Sequence, residues 1–191
     1  SLTSIAIGNG IKSIGDRAFK GFRSLTSVVI GNSVTSIGEE AFDDCSSLTS
    51  IVIGNGVMSI GDSAFKGCNA LTSITLPDGV KHIESRAFSN CDELTSVTLG
   101  SGILTIGNEA FSDCGKLQSL TLPDGVTQVG AGAFYNCYAL SSINIPAGVT
   151  SIGQSTFQHC NSLKEVTLSD NISSIGNNAF YQCHALSSIN I

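Results

Sequence analysis

The stretch LTSIVIGNGVMSIGDSAFKGCNA, residues 48–70, decides the fold, because the chain writes this pattern eight times in succession and begins a ninth. A leucine opens each copy, at Leu2, Leu25, Leu48, Leu71, Leu94, Leu117, Leu140 and Leu163, and the partial ninth opens at Leu186. The spacing is 23 residues throughout, with no insertion or deletion. A fixed period of this size implies a solenoid, whose units cannot bury their apolar faces alone but form one continuous core when stacked. No stretch escapes the pattern, so residues 1–191 read as a single solenoid domain without a linker. The chain starts one residue before a copy boundary and stops inside a copy, which reads as an excised portion of a longer protein.

Within the quoted copy, Leu48, Ile51 and Ile53 describe a strand with alternate residues inward. Gly54 ends it, and Pro77, Pro123 or Pro146 does so elsewhere; proline removes a donor and stops sheet pairing. A second short extended piece follows, with Val57 and Ile60 inward. Gly61 breaks it, and Asp62 or Ser63 is placed to cap a brief helical turn carrying Ala64, Phe65 and Cys68 on one face. Phe recurs at 19, 42, 65, 88, 111, 134, 157 and 180, which predicts a stacked aromatic spine.

The unit L-x-x-I-x-I/L-P/G-x-x-V-x-x-I-G-x-x-A-F-x-x-C resembles the BspA-like, or treponemal, class of leucine-rich repeat over essentially the whole chain. The departures are Phe22 for Cys, Glu84 for Gly and Thr156 for Ala. The resemblance implies a β-rich α/β solenoid. It is a right-handed superhelix with a parallel sheet on the concave face and short strands and helical turns outside. It further implies a secreted or cell-surface protein that adheres to host matrix proteins, such as fibronectin and fibrinogen, or to other cells.

The residues themselves exclude several functions. Charged residues are 13% of the chain and the net charge is −6, which argues against a phosphate- or nucleic-acid-binding surface. No apolar run is long enough to span a membrane. His82, His159 and His184 fall at three different places in the pattern, and the glycines recur as turn residues. Nothing therefore points to catalysis or to a cofactor. Seven cysteines share one place: Cys45, Cys68, Cys91, Cys114, Cys137, Cys160 and Cys183. An odd set in register, with Phe22 at the same place, reads as reduced core thiols; a disulfide ladder is the alternative. Zinc would need convergent pairs that are absent.

Three surfaces remain. Strand positions facing outward form one column of Ser, such as Ser96, Ser119 and Ser142, and another of Val29, Val52, Thr75, Thr98, Thr121 and Asn144. These suit a sheet surface and lack aromatic or Arg anchors; their regular hydroxyls also resemble ice-binding solenoids. The fixed register places Arg17 beside Glu40 and Lys20 beside Asp43, as exposed ion pairs or as a charged docking site. Toward the C-terminus the outer turns turn aromatic. Tyr135, Tyr138, His159, Tyr181 and His184 are the candidate partner-binding residues, packing of the tyrosines on neighbouring turns being the alternative. Asn171-Ile172-Ser173 is a glycosylation sequon. A protein partner is expected, with end-to-end self-association or a spacer role as the second reading, since uncapped solenoid ends promote stacking.

Overall fold

The computed structural model describes residues 2–190. It is a parallel β-solenoid in which every pairing joins residues 23 apart, as in Ser4↔Ser27 and Ser27↔Ser50. Two strands in each full copy but the sixth, which has one, form two sides of the coil. The longer ones include Ser4–Ile7, Ser27–Ile30 and Ser50–Val52. Six of the shorter ones form a sheet in the order Gln128–Val129, Thr105–Ile106, His82–Ile83, Ser59–Ile60, Ser36–Ile37 and Ser13–Ile14, and Ser151–Ile152 pairs with Ser174–Ile175 in a separate two-stranded sheet. Alternation holds where it was predicted: Val28 and Ile30 are buried while Val29 between them is exposed.

The third side is not helical. In the quoted copy Ala64, Lys66 and Cys68 donate their N–H groups three residues back, to Gly61, Ser63 and Phe65. The residues between them donate to the following copy instead: Ser63 to Ser85, Phe65 to Ala87 and Gly67 to Ser89, at 2.8–2.9 Å. Ser63 and Gly67, four residues apart, take left-handed φ of 55° and 69°, which a right-handed helix over 63–67 could not contain. The expected helical turn with a capping Asp62 or Ser63 is therefore replaced by a run of tight turns. The reason is that every second amide is already engaged by the neighbour. Across the sheets the donation runs the other way, as in Gly61 N–H to Ile37 O at 2.9 Å. Each inner coil is thus bonded to both neighbours.

The core is the predicted column set. Leu48, Val57, Ile60, Ala64, Phe65 and Cys68 are fully buried. The phenylalanine rings stack in one unbroken spine from Phe19 to Phe180, with centroids 5.2–5.8 Å apart. All seven thiols are free. Each Sγ donates to the Phe carbonyl of the preceding copy, as Cys68 does to Phe42 at 3.4 Å and Cys114 to Phe88 at 3.1 Å. Phe22, in the cysteine place of the first copy, packs edge-on against Phe19 at 6.0 Å. Burial pushes these thiols up, Cys45 to about 11 and the fully buried Cys91, Cys114 and Cys137 further.

The longer sheet is interrupted, and the interruptions fall at the copies that carry proline after the strand. Gly31 donates its N–H to Ile7 O at 2.8 Å, bonding the second copy to the first. Pro77, Pro123 and Pro146 hold the same place in the fourth, sixth and seventh copies and have no N–H to give. The ladder is lost at those three junctions among the described residues. The third and fourth copies do not pair, and the sixth joins its neighbours only through isolated bridges at Ser119. The strand expected through Ser119 and Thr121 is accordingly absent. Bulk adds to the missing donor, since a Cβ on Gly54 at this place would lie 2.5 Å from Gly31 O. Clefts of about 300 and 620 Å³ open at the junctions before Pro77 and Pro123, bordered by the half-buried Ile51 and Leu99.

Candidate functional site

The outer turns carry the side chains that differ between copies, and the tight-turn geometry projects them outward at fixed 23-residue intervals. At the N-terminal end they form the expected ion pairs. Arg17 Nε lies 2.6 Å from Glu40 and Lys20 Nζ 2.8 Å from Asp43, and Lys20 also reaches Glu40 at 2.7 Å. Hydrogen bonds from Lys20 and Arg17 hold the Glu40 carboxyl below its ordinary value, and the same contacts raise both cations. These charges satisfy one another, so the cluster offers a partner little uncompensated charge.

At the other end the structure brings three of the five candidate residues together. His159 stands edge-to-face between Tyr135 and Tyr181, with centroids 5.7 and 5.8 Å away and interplanar angles of 88° and 79°. Tyr135 and Tyr181 are two copies apart, and the histidine of the intervening copy fills the gap between their rings. Tyr181 is 52% exposed while Tyr135 and His159 are half-buried, so the ladder is a rigid surface rather than a core. Tyr138 lies outside it, over Gly115, where a Cβ would meet the ring at 3.3 Å. Burial first, then the Asp113 charge, raises its phenol. His184 is exposed and makes no ring contact with the ladder. The Asn171 amide of the sequon donates to Ala147 O at 2.9 Å.

His159 and Cys160, and Cys183 and His184, are neighbours in the sequence but do not form thiol–imidazole pairs. Cys160 Sγ donates to Phe134 O at 3.1 Å and Cys183 Sγ to Phe157 O at 3.0 Å, both inward, while the histidines stay on the outer side. Among the described residues no three His, Cys, Asp or Glu side chains converge as a metal site would require, and no helix is long and apolar enough to cross a membrane.

Inspection of single residues does not reveal a trough of about 630 Å³ on the outer turns that shares Tyr135 with the ladder. Its cause is legible once the copies are aligned. Where the fifth copy has Asn108-Glu109 and the seventh Gln154-Ser155, the sixth has Ala131-Gly132, and the missing side chains leave a depression between two ridges.

Coils, columns and register together define a leucine-rich repeat solenoid. The family model described as BspA type Leucine rich repeat region matches residues 1–114 and 81–191, in 6 copies. The chain belongs to that family. A leucine-rich repeat protein of T. pallidum is 27% identical with a TM-score of 0.69, over 98% of this chain and 79% of that one. A leucine-rich cell surface protein of Faecalibacterium prausnitzii is 28% identical with a TM-score of 0.61, over 100% and 70%. The pneumococcal vaccine antigen PcpA shares the fold, with a TM-score of 0.70 at 20% identity over 100% and 61%. No curated protein matches the chain.

Proposed function

We propose that this protein is a non-catalytic recognition module of the cell surface or secreted space, adhering through its outer turns to matrix proteins or to other cells. The observation that carries this reading is the Tyr135–His159–Tyr181 ladder, three aromatic rings of successive outer turns packed edge to face at the surface. Tyrosine held rigid before binding loses little entropy on contact, which makes it an efficient anchor. The surface location is supported by the description of the F. prausnitzii relative as a cell surface protein.

Immobilised fibronectin and fibrinogen, probed with the unaltered chain and with Tyr135→Ala combined with Tyr181→Ala, provide the test. Binding by the unaltered chain that falls at least tenfold in the double variant is expected. Binding that the variant retains removes the ladder from the proposal. No binding to any matrix or cell-surface protein removes the adhesive reading and leaves the spacer role, which the uniform 23-residue register favours.

A further inference from the structure

We infer that the trough beside the aromatic ladder receives a basic segment of the partner protein, with Lys or Arg side chains entering between the ridges. The inference rests on the reading of the outer turns as a protein-binding surface and adds the chemistry of what binds there. Three carboxylates line the trough, from Asp62, Glu109 and Asp113, and Arg86 is its one cation. Arg86 is already engaged, its Nε donating to Glu109 Oε2 at 2.7 Å. The lining therefore carries an excess of two negative charges.

The carboxylates are half-used. Asp62 Oδ1 accepts the Ser63 hydroxyl at 2.7 Å and Asp113 Oδ1 accepts the Asn136 amide at 2.7 Å. Asp62 Oδ2, Asp113 Oδ2 and Glu109 Oε1 accept no hydrogen bond from the protein among the described residues. Three open acceptors with net negative charge match a cationic group that has several donors and no acceptor, as the ammonium of Lys and the guanidinium of Arg do. The Tyr135 wall adds a ring beside which a cation is favoured. A neutral saccharide would satisfy the acceptors but leave the charge uncompensated.

Length agrees with a peptide. The trough runs from Asp62 in the third copy to Ser155 in the seventh, four coil steps. At about 4.8 Å per step this is roughly 19 Å, the span of about six extended residues.

A fluorescein-labelled hexa-arginine peptide, with a hexa-serine peptide and dextran as neutral probes, tests the inference by anisotropy at physiological salt. Asp62→Asn with Asp113→Asn keeps the shapes and the Ser63 and Asn136 contacts while removing two charges. Asp124→Asn with Asp170→Asn removes two exposed charges elsewhere and controls for the field of the whole molecule. The expected result is arginine-peptide binding that falls at least tenfold in the first pair and less than twofold in the second. Ala131→Arg, which supplies the trough with its own cation, is expected to abolish it. Equal loss in both pairs overturns the inference, as does arginine-peptide binding no tighter than that of the neutral probes. Matrix-protein binding unaffected by the trough variants likewise overturns it while leaving the adhesive reading intact. Specific peptide binding without any matrix-protein binding does the reverse.

Discussion

At the scale of single residues, the columns are selected by contacts between coils rather than within them. Cysteine holds its place because it is small, apolar and able to donate to the Phe carbonyl behind it. Cys137, for example, reaches Phe111 O at 3.1 Å while wholly buried. Glycine before the outer turn is selected by proximity: a Cβ on Gly61 would lie 2.7 Å from the Gly38 carbonyl carbon and 2.8 Å from the Glu39 nitrogen. The fourth copy shows the consequence of departing from glycine. Glu84 N–H reaches Ile60 O at 3.3 Å, where Gly61 and Gly107 bond to their predecessors at 2.9 and 2.8 Å. Because the obstructing atoms are backbone, Gly61→Ala is expected to destabilise the chain by about 1–3 kcal/mol in urea denaturation. Unchanged stability would show that the coils can part there at no cost. The three departures noted in the sequence are thus of two kinds. Phe22 and Thr156 find partners, in Phe19 and the Gly153 carbonyl, whereas Glu84 stretches a bond.

At the scale of elements, the longer strands lose their ladder at the junctions where a copy carries proline in the place of Gly31. Pro123→Gly restores a donor opposite Leu99 O, and its new amide is expected to exchange with solvent as slowly as that of Gly31. Exchange at the rate of a free peptide would separate the proline from the broken ladder. Net stability should change little, since a hydrogen bond contributes about 1 kcal/mol and the loss of proline rigidity costs about 0.4–1 kcal/mol. Apolar alternation makes the strands legible in every full copy but the sixth, whose longer strand does not form, and the stopping role of proline is legible too. That proline also opens the junction behind it was not readable, because the effect needs the register of two copies. The outer helical turn was misread for a related reason. Ala-Phe-x-x-Cys has helical spacing, but the amides that would build a helix are claimed by the following coil, as Phe65 is by Ala87 at 2.8 Å.

At the scale of the whole molecule, repetition multiplies small effects. The fully buried thiols Cys91, Cys114 and Cys137 have values well above the ordinary 9.0 because burial disfavours the thiolate. A folded-state value above the unfolded one means that the contribution to stability is complete below pH 9 and is lost as pH rises toward the folded value. Each buried thiol then removes about 1.4 kcal/mol per pH unit above 9. The urea midpoint is expected to be constant from pH 7 to 8.5 and to collapse cooperatively between pH 9.5 and 11. Substituting Cys114 by Ala should make that fall shallower, and an unchanged slope would contradict the burial argument. Glu40 acts in the opposite sense. Its value is depressed, so the N-terminal ion pairs contribute above its ordinary value of 4.5 and are lost as pH falls through the folded one.

The sequence by itself determined the period, the register, the identity of the buried columns and the family, because each follows from which residue types recur at 23-residue intervals. It also placed the tyrosines and His159 on neighbouring outer turns. Tertiary structure alone decided that His159 bridges Tyr135 and Tyr181 while Tyr138 and His184 stand apart, and that Ala131-Gly132 leaves a trough with unused carboxylate oxygens. Burial is a property of one position in the pattern and repeats with it. A surface contact is a relation between side chains of different copies, and their distance and direction exist only once the coils are stacked.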